Sequence, residues 1–318
     1  MMNEFIDNLV KNKNYSEELA RTLKEILPTM IYYYGTEYLN YFCEVLSNST
    51  IHICSDGETI FDFINSVDNN VNNDQSFVQE KELRMASGVC SAVPTISYND
   101  GEYTLDNVSY YVGIANCSLE SDYGKRTLIH ELSHLFKAYK DTFRIDKDIC
   151  YERSGFIEIT SKLSYSNGNV IQTVIEEKNV GLEEGFNAND EAEIASIMTS
   201  SAKKNSGYSL EADIADSIDS GLKLKKERLQ AQFGANTNQF IDKYNSYSNT
   251  DCFKDLSYNV DELVKADYES MANIFLYLSE KEEDKEKIKN INNRKEMYYL
   301  NSIKNVEAVK ANLASMNK

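Results

Sequence analysis

The residues best suited to chemistry are His130, Glu131 and His134, in the pattern His-Glu-Leu-Ser-His. On an α-helix, residues four positions apart lie on the same face, so both imidazoles can reach one ion. Zinc binds imidazole nitrogen at about 2.0 Å and keeps one tetrahedral position open for water. The metal lowers the pKa of that water to about 7, and a carboxylate can then take its proton as the water attacks a carbonyl. The spacing therefore predicts a zinc site with Glu131 as the general base.

The surroundings of the motif favour a buried catalytic helix. An apolar stripe with helical spacing lies beside the metal face and comprises Leu128, Leu132, Leu135, Phe136 and Tyr139. The chain has 3 histidines and two of them form the motif. The alternative, that these two histidines lie on an amphipathic helix without binding a metal, is therefore less favoured. The third, His52, stands alone on a short apolar strand and is predicted to be a packed side chain and not a ligand.

A third protein ligand is expected, because catalytic zinc sites usually have three. In the metzincin class, a glycine and a third histidine follow closely after the second. The run from Leu135 to Lys140 contains neither residue, which excludes that class. No histidine follows His134 at all, so the third ligand is a carboxylate, or His52 from an unusual direction.

The best carboxylate lies in the segment Gly181-Leu182-Glu183-Glu184-Gly185-Phe186-Asn187-Ala188. With the histidine motif, this segment resembles the gluzincin metallopeptidases, in which a glutamate on a second helix stands in a local sequence Leu-x-Glu-Gly-Phe or Leu-x-Glu-Gly-Leu. The resemblance covers residues 95–200 at most. It implies that Glu184, and not Glu183, completes the binding of one zinc ion per chain. Glu191, two turns further along the same face, is a candidate acceptor for a ligand histidine N–H.

Helix geometry sharpens the choice between the two neighbouring glutamates. Successive helical residues point about 100° apart, so Glu183 and Glu184 cannot both face one ion. If Glu184 is the ligand, Leu182 and Phe186 point together into the core. Gly185 is then expected to let the backbone pass close to the histidine helix. The competing carboxylates are Glu183, Glu158 and Glu191.

The chain departs from many gluzincins in the spacing of its two motifs. There are 49 residues between His134 and Glu184, and an additional hairpin within Tyr151 to Glu177 accounts for the extra length. Gluzincins typically also supply a Tyr, His or Arg side chain that stabilises the oxyanion of the transition state. Because no histidine is left, the candidate donors are Tyr151, Arg153 and Tyr165.

The pattern along the chain predicts an α+β fold with a zincin-like organisation. Apolar residues at helical spacing dominate the first 85 or so positions and everything after Leu182, whereas the middle reads as strands. We expect a small mixed sheet and the histidine helix, followed by a mainly helical C-terminal half. Residues 1–139 would form an N-terminal subdomain, and residues 140–318 a C-terminal one with a hairpin, the third-ligand helix and a helical bundle.

Several boundaries can be predicted from local signals. Pro28 is expected to end the second helix. Ser55 and Glu58 form a capping-box pattern that would open the next helix. Ser121 or Asp122 would cap the histidine helix.

Two hairpins are predicted in the middle of the chain. Their turns are Asn99-Asp100-Gly101 and Ser166-Asn167-Gly168-Asn169. The strand Ser109 to Ile114, close to the histidine helix in sequence, is expected to be a sheet edge that holds an extended peptide by backbone hydrogen bonds.

The charge and the cysteines narrow the possible partners. The formal net charge is −18, from 51 acidic and 33 basic residues, so nucleic acids and anionic membranes are not expected partners. The 6 cysteines are widely spaced without a Cys-x-x-Cys pair, which is typical of reduced thiols. No apolar run approaches the roughly 20 residues of a membrane span, and the first residues lack a signal-peptide pattern. A cytoplasmic location is expected, or a secreted one if an export signal has been removed.

Three functions are compatible with these residues. The leading hypothesis is a zinc endopeptidase or aminopeptidase-like hydrolase acting on a peptide or protein substrate, in which Glu131 activates the zinc-bound water. A binding or regulatory module with a zincin fold is the first alternative, although a non-catalytic zinc site has no use for Glu131. A zinc hydrolase of a non-peptide amide is the second.

Overall fold

The structure is a computed structural model that describes residues 2–67, 83–138, 143–200, 203, 208–234, 236–248, 251–273 and 281–316. The helices are α1 (Met2–Lys13), α2 (Glu17–Tyr34), α3 (Leu39–Asn48), α4 (Ile60–Val67), α5 (Asp122–Ala138), α6 (Val180–Thr199), α7 (Ser209–Asp216), α8 (Lys225–Phe233), α9 (Thr237–Asn245), α10 (Cys252–Ala272) and α11 (Glu282–Met316). The strands are β1 (Ser49–Ile53), β2 (Gly88–Asn99), β3 (Glu102–Ile114), β4 (Phe143–Asp146), β5 (Ile149–Ser154), β6 (Ile157–Ser166) and β7 (Asn169–Lys178). The chain is α+β, as predicted.

The strands form two sheets. In the first, the order is β1-β3-β2, with β1 parallel and β2 antiparallel to β3. In the second, the order is β4-β5-β6-β7. Both predicted hairpins are present, because Asp100 and Gly101, and likewise Asn167 and Gly168, adopt the positive φ angles that tight two-residue turns require.

The position of β3 corrects one prediction. Ser109 to Ile114 was expected to be a sheet edge, but β3 is the central strand. Tyr110 to Ile114 pair with β1 on one side, and the whole strand pairs with β2 on the other. Strand order depends on long-range pairing that local alternation does not report. The two edge strands of this sheet are β1 and β2.

Two compact units make up the described chain. The first contains residues 1–152, 161–174 and 190–206, and the second contains residues 153–160, 175–189 and 207–318. Helix α6 contributes its beginning to the second unit and its remainder to the first. The predicted subdomain boundary, between residues 139 and 140, falls outside the described residues.

The core of the first unit is built around α5. Leu128, Leu132 and Leu135 of the predicted stripe are fully buried, and Phe136 stacks on Phe42 of α3 with ring centroids 4.1 Å apart. Tyr139, the last residue of that stripe, lies outside the described residues. The amphipathic pattern of α5 thus fixes which of its faces is buried, and the opposite face carries the histidines.

The core of the second unit is mainly helical. Its buried side chains come from β5–β6, α6 and α7 to α11, and the largest of them are Phe156, Phe186, Phe240, Tyr244 and Phe253. Helix α8 ends at Phe233, just before Gly234, and α9 ends at Asn245. Among the described helices, none is both long and apolar enough to cross a lipid bilayer.

Pro28 does not end the second helix, contrary to the prediction. Helix α2 continues through it to Tyr34. Proline removes one backbone hydrogen bond and costs about 3 kcal/mol in a helix interior. The turn after it buries Met30, Ile31 and Tyr34. Burial of these side chains offsets that cost, and local propensity is overridden by packing.

The capping box of α4 also differs from the prediction. Ser55 and Glu58 do bond to each other, but they close a turn in which Gly57 has a φ of 86°. A left-handed residue there prevents the helix from starting. The helix instead begins at Ile60, and Thr59 and Asp62 exchange the two capping hydrogen bonds.

Candidate metal centre

The histidine helix begins as predicted, with Ser121 as its cap. The Oγ of Ser121 accepts a hydrogen bond from the backbone N–H of Gly124 at 3.0 Å. A Cβ atom on Gly124 would lie 2.1 Å from the carbonyl oxygen of Ser118, so only glycine permits this tight entry into the helix. The register of α5 relative to the core is thereby set from its first turn.

Helix α6 begins at a capped and buried N-terminus. The carboxylate of Asp261 accepts hydrogen bonds from the backbone N–H groups of Asn179 and Gly181, both at 2.9 Å. Burial nevertheless raises the pKa of Asp261. A few residues on, Leu182 and Phe186 are buried in the core of the second unit, as predicted.

Three potential zinc ligands come together in the structure: His130 and His134 on α5 and Glu184 on α6. One nitrogen of each histidine and one oxygen of Glu184 all lie within 4.8 Å of one another. The two Nε2 atoms are 3.2 Å apart. Two nitrogens bound to zinc at about 2.0–2.1 Å in tetrahedral directions are about 3.3 Å apart. The two imidazoles and one carboxylate therefore fit zinc in number, in chemistry and in the separation of the nitrogens.

Glu131 is placed for contact with the sheet edge. It is 8% exposed, and a Cβ atom on Gly88, the first residue of β2, would lie 2.5 Å from its Oε1. Because glycine has no Cβ atom, position 88 leaves enough space for the Glu131 carboxylate. The sequence contains no signal that identifies Gly88, because a glycine at a strand start is ordinary and its partner is 43 positions away.

Glu183, the competing glutamate, has a different role in the structure. Its side chain is fully buried and accepts hydrogen bonds from the backbone N–H of Phe156 at 2.7 Å and from the Nε2 of Gln232. Gly155, with a φ of 59°, passes directly against its carboxylate. Glu183 thus holds a backbone turn and a helix of the second unit together.

The other two competing carboxylates lie in other surroundings. Glu191 is buried and accepts an ion-paired hydrogen bond from the Nε of Arg126, one turn before His130 on α5. Glu158 is exposed on β6. The proposed contact of Glu191 with a ligand histidine stays a prediction.

Gly185 makes a close approach to α7. A Cβ atom there would lie 2.6 Å from the carbonyl oxygen of Glu211, so the glycine permits packing against that helix. The expected approach to the histidine helix stays a prediction. Position 185 follows a potential ligand directly, but on a helix the next residue points about 100° away.

The surroundings of Glu184 are acidic. Burial, Asp261 and Glu184 itself raise the pKa of Glu177, whereas Lys265 acts in the opposite direction. Glu184 therefore lies close enough to Glu177 to disfavour the ionisation of that carboxyl group.

The three candidate transition-state donors have other neighbours. Arg153 donates to the backbone carbonyls of Gly155, Ala231 and Gln232. The ring of Tyr151 lies under the guanidinium of Arg144, and Tyr165 stacks on Tyr98. The choice among the three stays a prediction.

His52 belongs to a different group of side chains. Its ring stacks on Phe63 with centroids 4.8 Å apart, and its Nε2 lies 2.9 Å from Glu58. Within the described residues, the group that contains His130 and His134 takes its third member from Glu184.

A buried ion pair, which the sequence analysis did not predict, joins helices α5 and α6. Lys137 and Asp190 are both fully buried, with 3.1 Å between Nζ and Oδ2, and Tyr33 donates to the other carboxylate oxygen at 2.7 Å. Nearby, Tyr34 donates to the Oγ of Ser133, inside the histidine motif. Lys137 lies on the side of α5 that carries the histidines, opposite the apolar stripe, so helical periodicity gives no sign of its burial.

The chain matches no protein-family model, no curated protein and no solved structure. Its function therefore has to be inferred from the site itself.

Proposed function

We propose that the protein is a zinc-dependent hydrolase of peptide bonds with a zincin-like fold, of the gluzincin type. The observation that carries the proposal is the convergence of His130, His134 and Glu184, with Glu131 one residue from the first ligand. Bound zinc supplies Lewis-acid chemistry and lowers the pKa of water to about 7. His130, His134 and Glu184 would hold the ion, and Glu131 would accept the proton of the attacking water and pass it to the leaving amine.

The edge of the first sheet provides a place for an extended substrate. Helix α5 packs against β2 and β3, and β2 is one of the two edge strands. Its first residue, Gly88, contacts Glu131. A peptide that pairs with β2 would run past the general base, held by backbone hydrogen bonds that do not depend on its sequence.

The proposal is tested by digestion of intact proteins, with mass-spectrometric identification of the products. We expect cleavage that stops when a chelator removes zinc and returns when zinc is restored. A set of amide substrates without peptide bonds is tested in parallel. If only these amides are hydrolysed, the protein is a zinc hydrolase of another class and not a peptidase. If zinc binds and no substrate is hydrolysed, the protein is a binding module.

The two glutamates of α6 give a prediction that separates the metal from the fold. Glu184→Gln, like His130→Ala or His134→Ala, is expected to lower the zinc content by about one equivalent per chain, because three ligands hold the ion. Elemental analysis of protein reconstituted at neutral pH measures this loss.

Glu183→Gln is the matched control. It is expected to keep the zinc but to lower the unfolding midpoint of the metal-free protein, because a buried carboxylate that accepts three hydrogen bonds is replaced by an amide. The reverse pattern, with zinc lost in Glu183→Gln and kept in Glu184→Gln, would show that the ligand has been misassigned.

A further inference from the structure

A second group of metal-binding side chains lies at the end of β1. His52 is on the strand, Cys54 follows its last residue, and Glu58 is in the turn that leads to α4. One ligand atom from each lies within 4.8 Å of the others. The three residues belong to one short segment of the first unit and include none of the residues in the proposed catalytic site.

The backbone that carries these side chains is firmly held. His52 pairs with Gly113 in the register of β1 and β3, and the N–H of Cys54 donates to the carbonyl of Ile114 at 2.8 Å. Alternate residues of an extended chain point to the same side, so the imidazole and the thiol face the same space. Both therefore project from the strand that closes one edge of the sheet.

The side chains themselves are also oriented. The ring of His52 is stacked on Phe63 at an interplanar angle of 9°. The N–H and the Oγ of Ser55 both donate to the Oε2 of Glu58, which leaves Oε1 toward His52 at 2.9 Å. Ligands fixed in this way lose little conformational entropy when an ion binds.

The chemistry of the group suits a zinc-like divalent cation. One thiolate and one carboxylate balance the charge of a divalent cation. Imidazole and thiolate together select zinc-like ions over magnesium and calcium, which prefer oxygen ligands.

We propose that His52, Cys54 and Glu58 form a second zinc site, with solvent in the fourth position. The Sγ–H bond of Cys54 breaks on binding, an Sγ–zinc bond forms, and the proton is released to solvent. Both His52 and Glu58 are partly exposed, at 38% and 26% of their side-chain surface, so an ion can enter from solvent. The ion would fix the turn between β1 and α4.

Cobalt distinguishes this site from the proposed catalytic site, because only this one contains sulfur. Full-length protein titrated with Co²⁺ is expected to develop a thiolate-to-cobalt charge-transfer band in the near ultraviolet. The band should persist in the double variant His130→Ala/His134→Ala with a stoichiometry of about one ion per chain. It should be absent in Cys54→Ser, and Glu58→Gln should weaken cobalt binding at least tenfold.

Cys43→Ser is the matched control, since Cys43 is another half-buried thiol of the same unit, on α3. It should keep the band. Wild-type protein that shows no sulfur band at saturating cobalt, or a band that survives Cys54→Ser, overturns the proposal. Added zinc should also raise the unfolding midpoint of the double variant but not that of the same variant carrying Cys54→Ser. The result is independent of whether the protein hydrolyses peptides.

Discussion

Glu131→Gln is expected to leave the zinc content unchanged and to lower the rate of peptide hydrolysis by a factor of about 10²–10⁴, the usual contribution of a general base. The amide has the size and shape of the carboxylate and keeps the close contact with Gly88. It cannot accept a proton from water at neutral pH. The rate of hydrolysis is measured as the initial rate on a peptide identified in the digest, and the zinc content is measured by elemental analysis.

The control for this variant is an exposed carboxylate of the same chain. Glu158→Gln, on β6, changes the net charge in the same way and is expected to keep the rate. If Glu131→Gln hydrolyses the peptide as fast as the wild type does, Glu131 is not the base. The proton of the attacking water would then be accepted by another group.

Asp190→Ala is expected to destabilise the protein by about 3–5 kcal/mol, because it removes the carboxylate that pairs with the buried charge of Lys137. Both side chains are fully inaccessible to solvent. The hydroxyl of Tyr33 loses its acceptor in the same variant. Urea unfolding of the metal-free protein measures the change in the free energy of unfolding without a contribution from zinc.

Two comparisons show whether burial is the cause. Glu120→Ala removes the partner of Arg21 in an ion pair whose side chains are 68% and 65% exposed, and is expected to cost less than about 1 kcal/mol. The double variant Lys137→Met/Asp190→Leu removes both buried charges and should recover most of the loss. If Asp190→Ala cost no more than Glu120→Ala, the pair would not be buried in solution.

The positions of Lys137 and Asp190 along their helices explain why this buried pair matters for the candidate site. Lys137 follows His134 by three residues on α5, and Asp190 follows Glu184 by six on α6. The pair joins the two helices that carry the candidate ligands, and Arg126 and Glu191 join them again nearer the start of α5. Breaking such pairs costs several kcal/mol, so they hold the two helices in a fixed relative orientation. A metal centre requires such fixed positions of its ligands.

The local sequence was sufficient for the features that depend on short-range periodicity and on turn chemistry. The histidine helix with its Ser121 cap, the buried stripe of Leu128 to Phe136, and the two hairpins follow from residues within a few positions of each other. The same holds for the burial of Leu182 and Phe186. In each case the sequence pattern and the element that it predicts occupy the same stretch of chain, so the prediction does not depend on any distant segment.

Other features were decided by contacts between distant segments. The three-stranded sheet places β3 at its centre because β1 pairs with it, and the packing of α2 carries that helix through Pro28. Two adjacent glutamates have the same local propensities, yet Glu183 is occupied by Phe156 and Gln232, while Glu184 lies with the histidines. The sequence by itself predicted His130 and His134 as zinc ligands and Glu131 as the base, and the resemblance pointed to Glu184. Only the tertiary structure decided the surroundings of the two glutamates, because the environment of a side chain is set by whatever packs against it from elsewhere in the chain.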